Sequence, residues 1–510
     1  MNNTYILSID QGTSSTKAIL FDEAGKAVAK GSETLKSYFL EGGLVEQGPE
    51  EIYKNVLASV EKCITAFKAK GGVIANIKAC GISNQRETFV VWDDAGKPLY
   101  NAVVWQCKRS IHICDRLKRE GLEEIIKSKT GLIIDPYFSG TKLIWLYENV
   151  DKIRKAIDDG RAYFGTIDTW LLFKLTRGKN YLTDYTNASR TLLFNLFHLS
   201  WDAELLNLFS FSRLNLPEVK PSSNFFAETD FNGLLDKPIH ITAMIGDSHA
   251  AAFGEGCFSP GTAKATLGTG SSILMNIGKE PKASGNGMVS TVCWSMEDRV
   301  DYALEGVIVS CGATIEWLKN ELGLINDSKE TEAMATAVTD NNGVYLMPAF
   351  SGLGAPHWDM SRKAAITGLT FDCTKNHVVR AALESIPYQI MDVLVAMEED
   401  ADIVLQELMV DGGITSNGFV LQFLSDLLDR TIVNIGMPDV SALGAAYLAG
   451  LKAGVFKSLH QLKTLNSDKK LIYPNNNSNI KEWYAGWQSV IKTLCPSSVF
   501  RKHSFFNDRL

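Results

Sequence analysis

One pattern occurs twice in this chain: an apolar run, a tip of glycine and hydroxyl residues, and a second apolar run. It appears as Tyr5–Ile9, Asp10-Gln11-Gly12-Thr13-Ser14-Ser15 and Ala18–Phe21, and again as Thr262–Leu267, Gly268-Thr269-Gly270-Ser271-Ser272 and Ile273–Met275. Each copy reads as a β-hairpin whose tip is too small and too polar to be core. Two such hairpins far apart in sequence predict two similar domains facing each other. The length of 510 residues agrees, being more than one hydrophobic core sustains. The division is expected between residues 253 and 254, giving domains 1–253 and 254–510.

The segments between the hairpins indicate an α/β class. After Gly48-Pro49, the residues Ile52, Val56, Leu57, Val60, Cys63, Ile64 and Phe67 share one face at helical spacing, and Ile77–Ile82 then reads as a buried strand. Longer helices are expected at His377–Glu399, Asn417–Asp429 and Val440–Gly450, with Pro387 kinking or splitting the first. Asn475–Asn479 reads as a loop.

Charge and composition exclude several classes. With 51 Lys and Arg against 58 Asp and Glu the net charge is −7, and basic residues cluster only at Arg501-Lys502-His503, so nucleic acid is not an expected partner. No apolar window is long enough for a membrane span. Met1-Asn2-Asn3-Thr4 leads into a strand pattern without a secretory signal, and the nine cysteines are odd in number with no CxxC pair. A cytoplasmic protein with free thiols is expected.

Neither a Walker A loop nor a G-x-G-x-x-G fingerprint is present; Gly254-Glu255-Gly256 lacks the third glycine at Ser259, which disfavours a nicotinamide enzyme. The hairpin tips offer another way to hold phosphate, through converging backbone N–H groups and Thr or Ser hydroxyls, although a single such tip is more often a plain turn. At the first tip, Asp10 would meet a Mg²⁺ carried by phosphates, and Lys17 would add a point charge. Arg86 and Glu87, after the strand ending at Ile82, offer a donor and an acceptor to vicinal hydroxyls; the competing reading is a surface ion pair. Trp105 and Tyr137 supply an aromatic wall and a phenol suited to a small polyol, though either alone is more often core. Asp247, between the apolar Ile241–Ile245 and the small run Ala250-Ala251-Ala252, is either a general base for a hydroxyl or a helix cap. His249 reads as an incidental helix residue. Gly412-Gly413, opening a helix after Leu408-Met409-Val410, let a flat nucleobase lie against backbone, or form an ordinary strand-to-helix turn.

Together these residues resemble the FGGY carbohydrate kinases and, within that family, the glycerol kinases. The resemblance runs from Ser8-Ile9-Asp10-Gln11-Gly12-Thr13 to Ala442-Leu443-Gly444-Ala445-Ala446-Tyr447, with Gln85-Arg86-Glu87-Thr88, Trp105-Gln106-Cys107, Ile134–Lys142, Thr183–Thr191 and Gly352-Leu353-Gly354-Ala355-Pro356 as its most specific pieces. It implies two actin-like (ribonuclease H-like) domains with ATP and polyol in the cleft between them. It further implies ATP-dependent phosphorylation of a primary hydroxyl of glycerol, Mg²⁺ as cofactor, and a homo-oligomer, dimer or tetramer. By motif, Asp247 would be the base and Asp10 the metal site. Thr13, Ser14, Ser15, Lys17, Thr269, Gly312 and Glu316 would surround the phosphates and nucleotide, with Gly413 and Asn417 flanking the adenosine. Arg86, Glu87, Trp105, Tyr137 and Ser248 match the polyol-binding positions.

The departures bear on the substrate. Ser248 stands where glycerol kinases have Gln and Ser272 where they have Phe, which removes bulk and adds hydroxyls, so a longer polyol or a ketose is the alternative acceptor. Glu316 replaces Gln and Lys17 replaces Arg near the nucleotide, and Asp230–Ile239 lacks the Gly-Arg loop that binds fructose bisphosphate in some relatives. The same fold also serves ATP-driven chaperones and filament formers, but such proteins have no need of a base like Asp247 beside a polyol site.

Overall fold

The computed structural model describes residues 4–465, 469–475 and 477–495; Met1–Asn3, Asn476 of the asparagine loop and the Arg501-Lys502-His503 tail lie outside them. Both hairpins form. Strands β1 (Tyr5–Gln11), β2 (Ser15–Asp22) and β3 (Ala27–Thr34) run antiparallel in sequence, and β4 (Ile77–Asn84) lies parallel to β1. With β5 (Ser223–Thr229) and β6 (Ile239–Gly246) they make a six-stranded sheet in the order β5-β6-β4-β1-β2-β3. In this register Asp10 is opposite Lys17 on one side and Ser83 on the other. The predicted helix, α1 (Pro49–Ala69), starts on proline with Glu50 and Glu51 beside its positive end, and buries Ile52, Val56, Val60, Cys63, Ile64 and Phe67.

After helix α2 (Asp247–Glu255) a second sheet begins. It holds β7 (Thr262–Leu267), β8 (Ser271–Gly278), β9 (Val289–Met296), β10 (Arg299–Ile308), β11 (Glu407–Asp411), β12 (Ile432–Asn434) and β13 (Lys470–Ile472), in the order β9-β10-β8-β7-β11-β12-β13. The series β3-β2-β1-β4-β6 is repeated by β10-β8-β7-β11-β12: antiparallel pairing up to β1 or β7, then parallel strands. This duplicated α/β plan agrees with the two similar domains that the paired hairpins predicted and with the actin-like arrangement that the family resemblance implied.

Three helices of the second half matter for the site. Helix α3 (Lys375–Ala401) runs unbroken through Pro387, so the expected split does not occur. Residues Val379–Met397 are buried throughout, and packing on every side holds the helix together despite one missing backbone bond. Helix α4 (Gly418–Leu428) begins where the Gly412-Gly413 turn ends, and α5 (Val440–Lys452) packs against α2 and against β4 and β1. A further five-stranded sheet, formed by Tyr38–Leu40, Leu44–Gln47, Phe89–Trp92, Ala102–Val103 and Tyr163–Thr166, carries the segments bearing Trp105 and Tyr137. All nine cysteines are free thiols, and no helix of the described residues is long and apolar enough to cross a membrane.

Candidate active site

Beyond β4 the chain turns sharply, with Glu87 in the left-handed region at φ 59°. This sends Arg86 and Glu87 in different directions. Glu87 is buried and accepts from Arg190 Nε at 2.6 Å, while Arg86 Nη1 and Nη2 donate to Glu305 of β10 at 3.1 and 2.8 Å. Arg190 Nη1 closes the network on Glu305 at 2.7 Å. The pair is therefore not a surface ion pair: these are wholly desolvated charges, sustained only because each faces its opposite. Burial alone would raise the Glu305 carboxyl, but Arg190 and Arg86 hold it well below the usual carboxylate range. Glu87 is pushed up by burial, against the opposing field of Arg190 and Arg86.

Asp247 is the first residue of α2, with Gly246 at the cap position, and its Oδ1 accepts from the neighbouring Ser248 amide, a first-turn N–H, at 2.7 Å. Arg86 Nε lies 3.4 Å from Asp247 Oδ1, an approach that passes directly over Gly246, where a Cβ would sit 2.7 Å from Arg86 Cγ. The Asp247 side chain keeps 37% of its surface exposed. Surrounding protein still raises its proton affinity, with the Arg86 charge opposing. Arg86 Nη2 also donates to the Tyr137 hydroxyl at 3.4 Å, and the Tyr137 and Trp105 rings meet edge to face at 5.6 Å. Lys142, fully buried, fixes the Tyr137 turn by donating to the carbonyls of Pro136 and Tyr137 at 2.9 and 2.6 Å. His249 is buried on α2, 3.3 Å from the Thr291 hydroxyl.

The first hairpin tip joins this wall, because Trp105 Nε1 donates to Thr13 Oγ1 at 2.9 Å. Ser14 is exposed at the tip, and the turn is closed by Gly12 N donating to Ser15 O at 2.9 Å. Burial pushes the Asp10 carboxyl up to about 6, with Lys17 opposing and Ser83 Oγ donating to it at 3.1 Å. Lys17, expected among the phosphate ligands, donates instead to Asp439 at 2.8 Å, next to the start of α5. The second tip is braced from behind: Cys311 N and Ala313 N donate to Thr269 O at 2.9 and 3.0 Å, and Gly312 N to Gly268 O at 2.9 Å. Glu316, on the helix Gly312–Asn320, is exposed and accepts from Asn320 at 3.2 Å. Gly412 at φ 95° presses on the same strand end, since a Cβ there would be 2.5 Å from Leu267 O, whereas beside Gly413 the space is open. Asn417 Oδ1 caps α4 through Val420 N at 3.1 Å.

The structure thus gathers Thr269, Gly312 and Gly413 around the end of β7, and Arg86, Asp247, Tyr137, Trp105 and Thr13 in one bonded set. Sequence reasoning missed Glu305, Arg190 and Lys264. Lys264, buried in β7, donates to Ser248 Oγ at 2.8 Å and Thr266 Oγ1 at 3.0 Å. For Glu305 and Lys264 the one signal was a charge set in an apolar strand, as in Tyr302-Ala303-Leu304-Glu305; Arg190 lies in a polar turn after the helix Tyr185–Ala188 and had no such signal.

Residues 5–254 match the N-terminal domain and residues 263–453 the C-terminal domain of the FGGY family of carbohydrate kinases. The chain belongs to this family. Among the relatives of this FGGY protein, a glycerol kinase of Thermoanaerobacter sp. (strain X514) is 46% identical over 491 residues, covering 96% of this chain and 98% of its own. Among solved structures, Plasmodium falciparum glycerol kinase with ADP superposes with a TM-score of 0.90 at 36% identity, covering 98% of this chain and 99% of that one. Gluconate kinase from Lactobacillus acidophilus shares the fold at a TM-score of 0.88 and 22% identity, covering 97% of this chain and 99% of its own.

Proposed function

We propose that this FGGY protein transfers the γ-phosphoryl group of ATP to a primary hydroxyl of glycerol, giving glycerol 3-phosphate and ADP. The observation that carries the reading is Asp247, a partly exposed carboxylate at the first turn of α2 that lies 3.4 Å from Arg86. Burial raises the proton affinity of that carboxylate, with the Arg86 charge opposing, and as base it accepts the proton of the acceptor hydroxyl as the new O–P bond forms and the bond to the leaving ADP oxygen breaks. The other two hydroxyls of glycerol fall to the Arg86 guanidinium and the Tyr137 phenol, and its carbon skeleton to the Trp105 ring. Glu87 acts at one remove, by holding Arg190 against Glu305. Thr13, Ser14, Ser15, Thr269 and Gly312 take the phosphates, and Gly413, Asn417 and Glu316 the adenosine side, where the open space beside Gly413 admits a flat ring.

Asp10 fits a Mg²⁺ ion: a carboxyl that burial raises to about 6 with Lys17 turned to Asp439 is better satisfied by a divalent cation than left to itself. When bound, the ion would offset charge on the phosphates. Residence in the cytoplasm and a dimeric or tetrameric state follow from the same family reading and are tested by fractionation and light scattering.

The test is ADP release from Mg-ATP with glycerol, for the wild type and for Asp247→Asn. We expect the variant to lose roughly 100-fold or more in kcat while its affinity for ADP is retained. Normal turnover by the variant would remove Asp247 from the mechanism.

A further inference from the structure

Ser248, in the first turn of α2, and Ser272, at the start of β8, meet Oγ to Oγ at 3.1 Å, and both are partly exposed. The protons of this pair are accounted for. Ser272 Oγ donates to Glu305 Oε1 at 3.0 Å, the oxygen that also accepts from Arg86 Nη2 at 2.8 Å. Lys264 Nζ donates to Ser248 Oγ at 2.8 Å. With the Ser272 proton committed to Glu305, the proton between the two serines is that of Ser248. Each hydroxyl oxygen has two lone pairs; Lys264 uses one on Ser248, and Ser248 uses one on Ser272. One lone pair remains on each oxygen, next to the residue that serves as base, and neither serine has a proton left to give.

We propose that Ser248 and Ser272 form a further hydroxyl-binding subsite that accepts hydrogen bonds from the extra carbinol of a four-carbon polyol. The proposal rests on the reading that Asp247 serves a primary hydroxyl of a polyol. Glycerol's three hydroxyls are already met by Asp247, Arg86 and Tyr137, so the serine pair is capacity beyond glycerol. Its polarity selects the ligand class. Acceptor-only oxygens suit O–H donors and give a carboxylate no proton to accept, while the Lys264 ammonium is only 1% exposed and meets no ligand directly. The subsite therefore separates a polyol from the sugar acid of the same length. Lys264 and Glu305 act as positioning residues, because they fix which way the two hydroxyls point.

Steady-state kinetics of the full chain at saturating Mg-ATP test this with glycerol, erythritol and erythronate. Erythritol is expected to be turned over with kcat/KM within about tenfold of glycerol's, and erythronate at least about 100-fold more slowly than erythritol. Ser272→Ala is expected to lower kcat/KM for erythritol about tenfold more than for glycerol, as does Ser248→Ala, with the loss in KM rather than kcat. Turnover of glycerol without erythritol would remove the subsite and leave the kinase assignment standing. An equal loss on both polyols in variants that melt with the wild type would reduce the pair to scaffolding. Preference for erythronate would invert the polarity argument, and failure of glycerol and erythritol alike would remove the function on which the proposal rests.

Discussion

At Glu305 a single carboxylate answers two guanidiniums, Arg86 at 2.8 Å and Arg190 at 2.7 Å, and all three side chains are buried. Glu305→Gln leaves both cations facing a neutral amide, and breaking a buried pair in this way costs ~3–5 kcal/mol. A guanidinium titration would detect it as a lower midpoint with unchanged slope; an unshifted midpoint would mean that the arginines find other partners. Asp168 supplies the pH dependence. Burial, with the Asp184 charge adding to it, raises its carboxyl to about 7, although Thr166 and Thr183 donate to it at 2.5 and 2.7 Å. A raised acid favours the folded state while protonated: the contribution is complete below the unfolded value of 3.8 and is lost as pH climbs through about 7. Asp168→Asn keeps a neutral side chain at every pH. Its stability relative to the wild type should therefore improve between pH 4 and pH 8, by ~4 kcal/mol at most. Parallel melting curves for the two proteins across that range would show that Asp168 stays ionised.

Among the elements, α2 is the one whose position decides the chemistry, because Asp247 and Ser248 stand at its first turn. It is held by α5, which approaches so closely that a Cβ on Gly444 would lie 1.8 Å from Ala250 O. Backbone cannot yield there as a flexible side chain would. Gly444→Ala must push the helices apart, at a cost of ~1–3 kcal/mol or more for forced overpacking, and should lower kcat through misplacement of Asp247 while ATP affinity changes little. Unaltered kcat with a lowered melting temperature would show that α2 shifts without tilting its first turn. The hairpins and the small-residue helix were legible in the sequence because their chemistry is local: tip composition, and alanines and glycines at every contact position. The charged floor of the site was not, because Glu305, Arg190 and Lys264 come from three distant segments and are intelligible only once the strands are stacked. Pro387 misled for a related reason, since burial all along α3 outweighs a propensity that acts on one turn.

For the whole molecule, the duplicated sheets invite the idea of two separable domains, and we propose the division after Gly256, because the expected cut at residue 253 falls within the last turn of α2. The cores argue against independence across that division. Ile6, Ile19 and Ala79 of the first sheet and Leu274, Met409 and Val433 of the second belong to one apolar cluster, with α2 and the Ala442–Ala449 run of α5 between them. The first sheet also takes α5 directly, since a Cβ on Gly81 would meet Ala445 O at 2.2 Å. A fragment ending at Gly256 would lack α5 and expose the apolar face that it covers, so it is not expected to fold. Calorimetry of the full chain should accordingly give a single cooperative transition, with the van't Hoff and calorimetric enthalpies equal. Two resolved transitions, or a fragment 1–256 with protected amides, would mean that each sheet is stable without its neighbour's helix. The interface would then be a contact between finished domains, whereas the shared cluster makes α2 and α5 part of both cores at once.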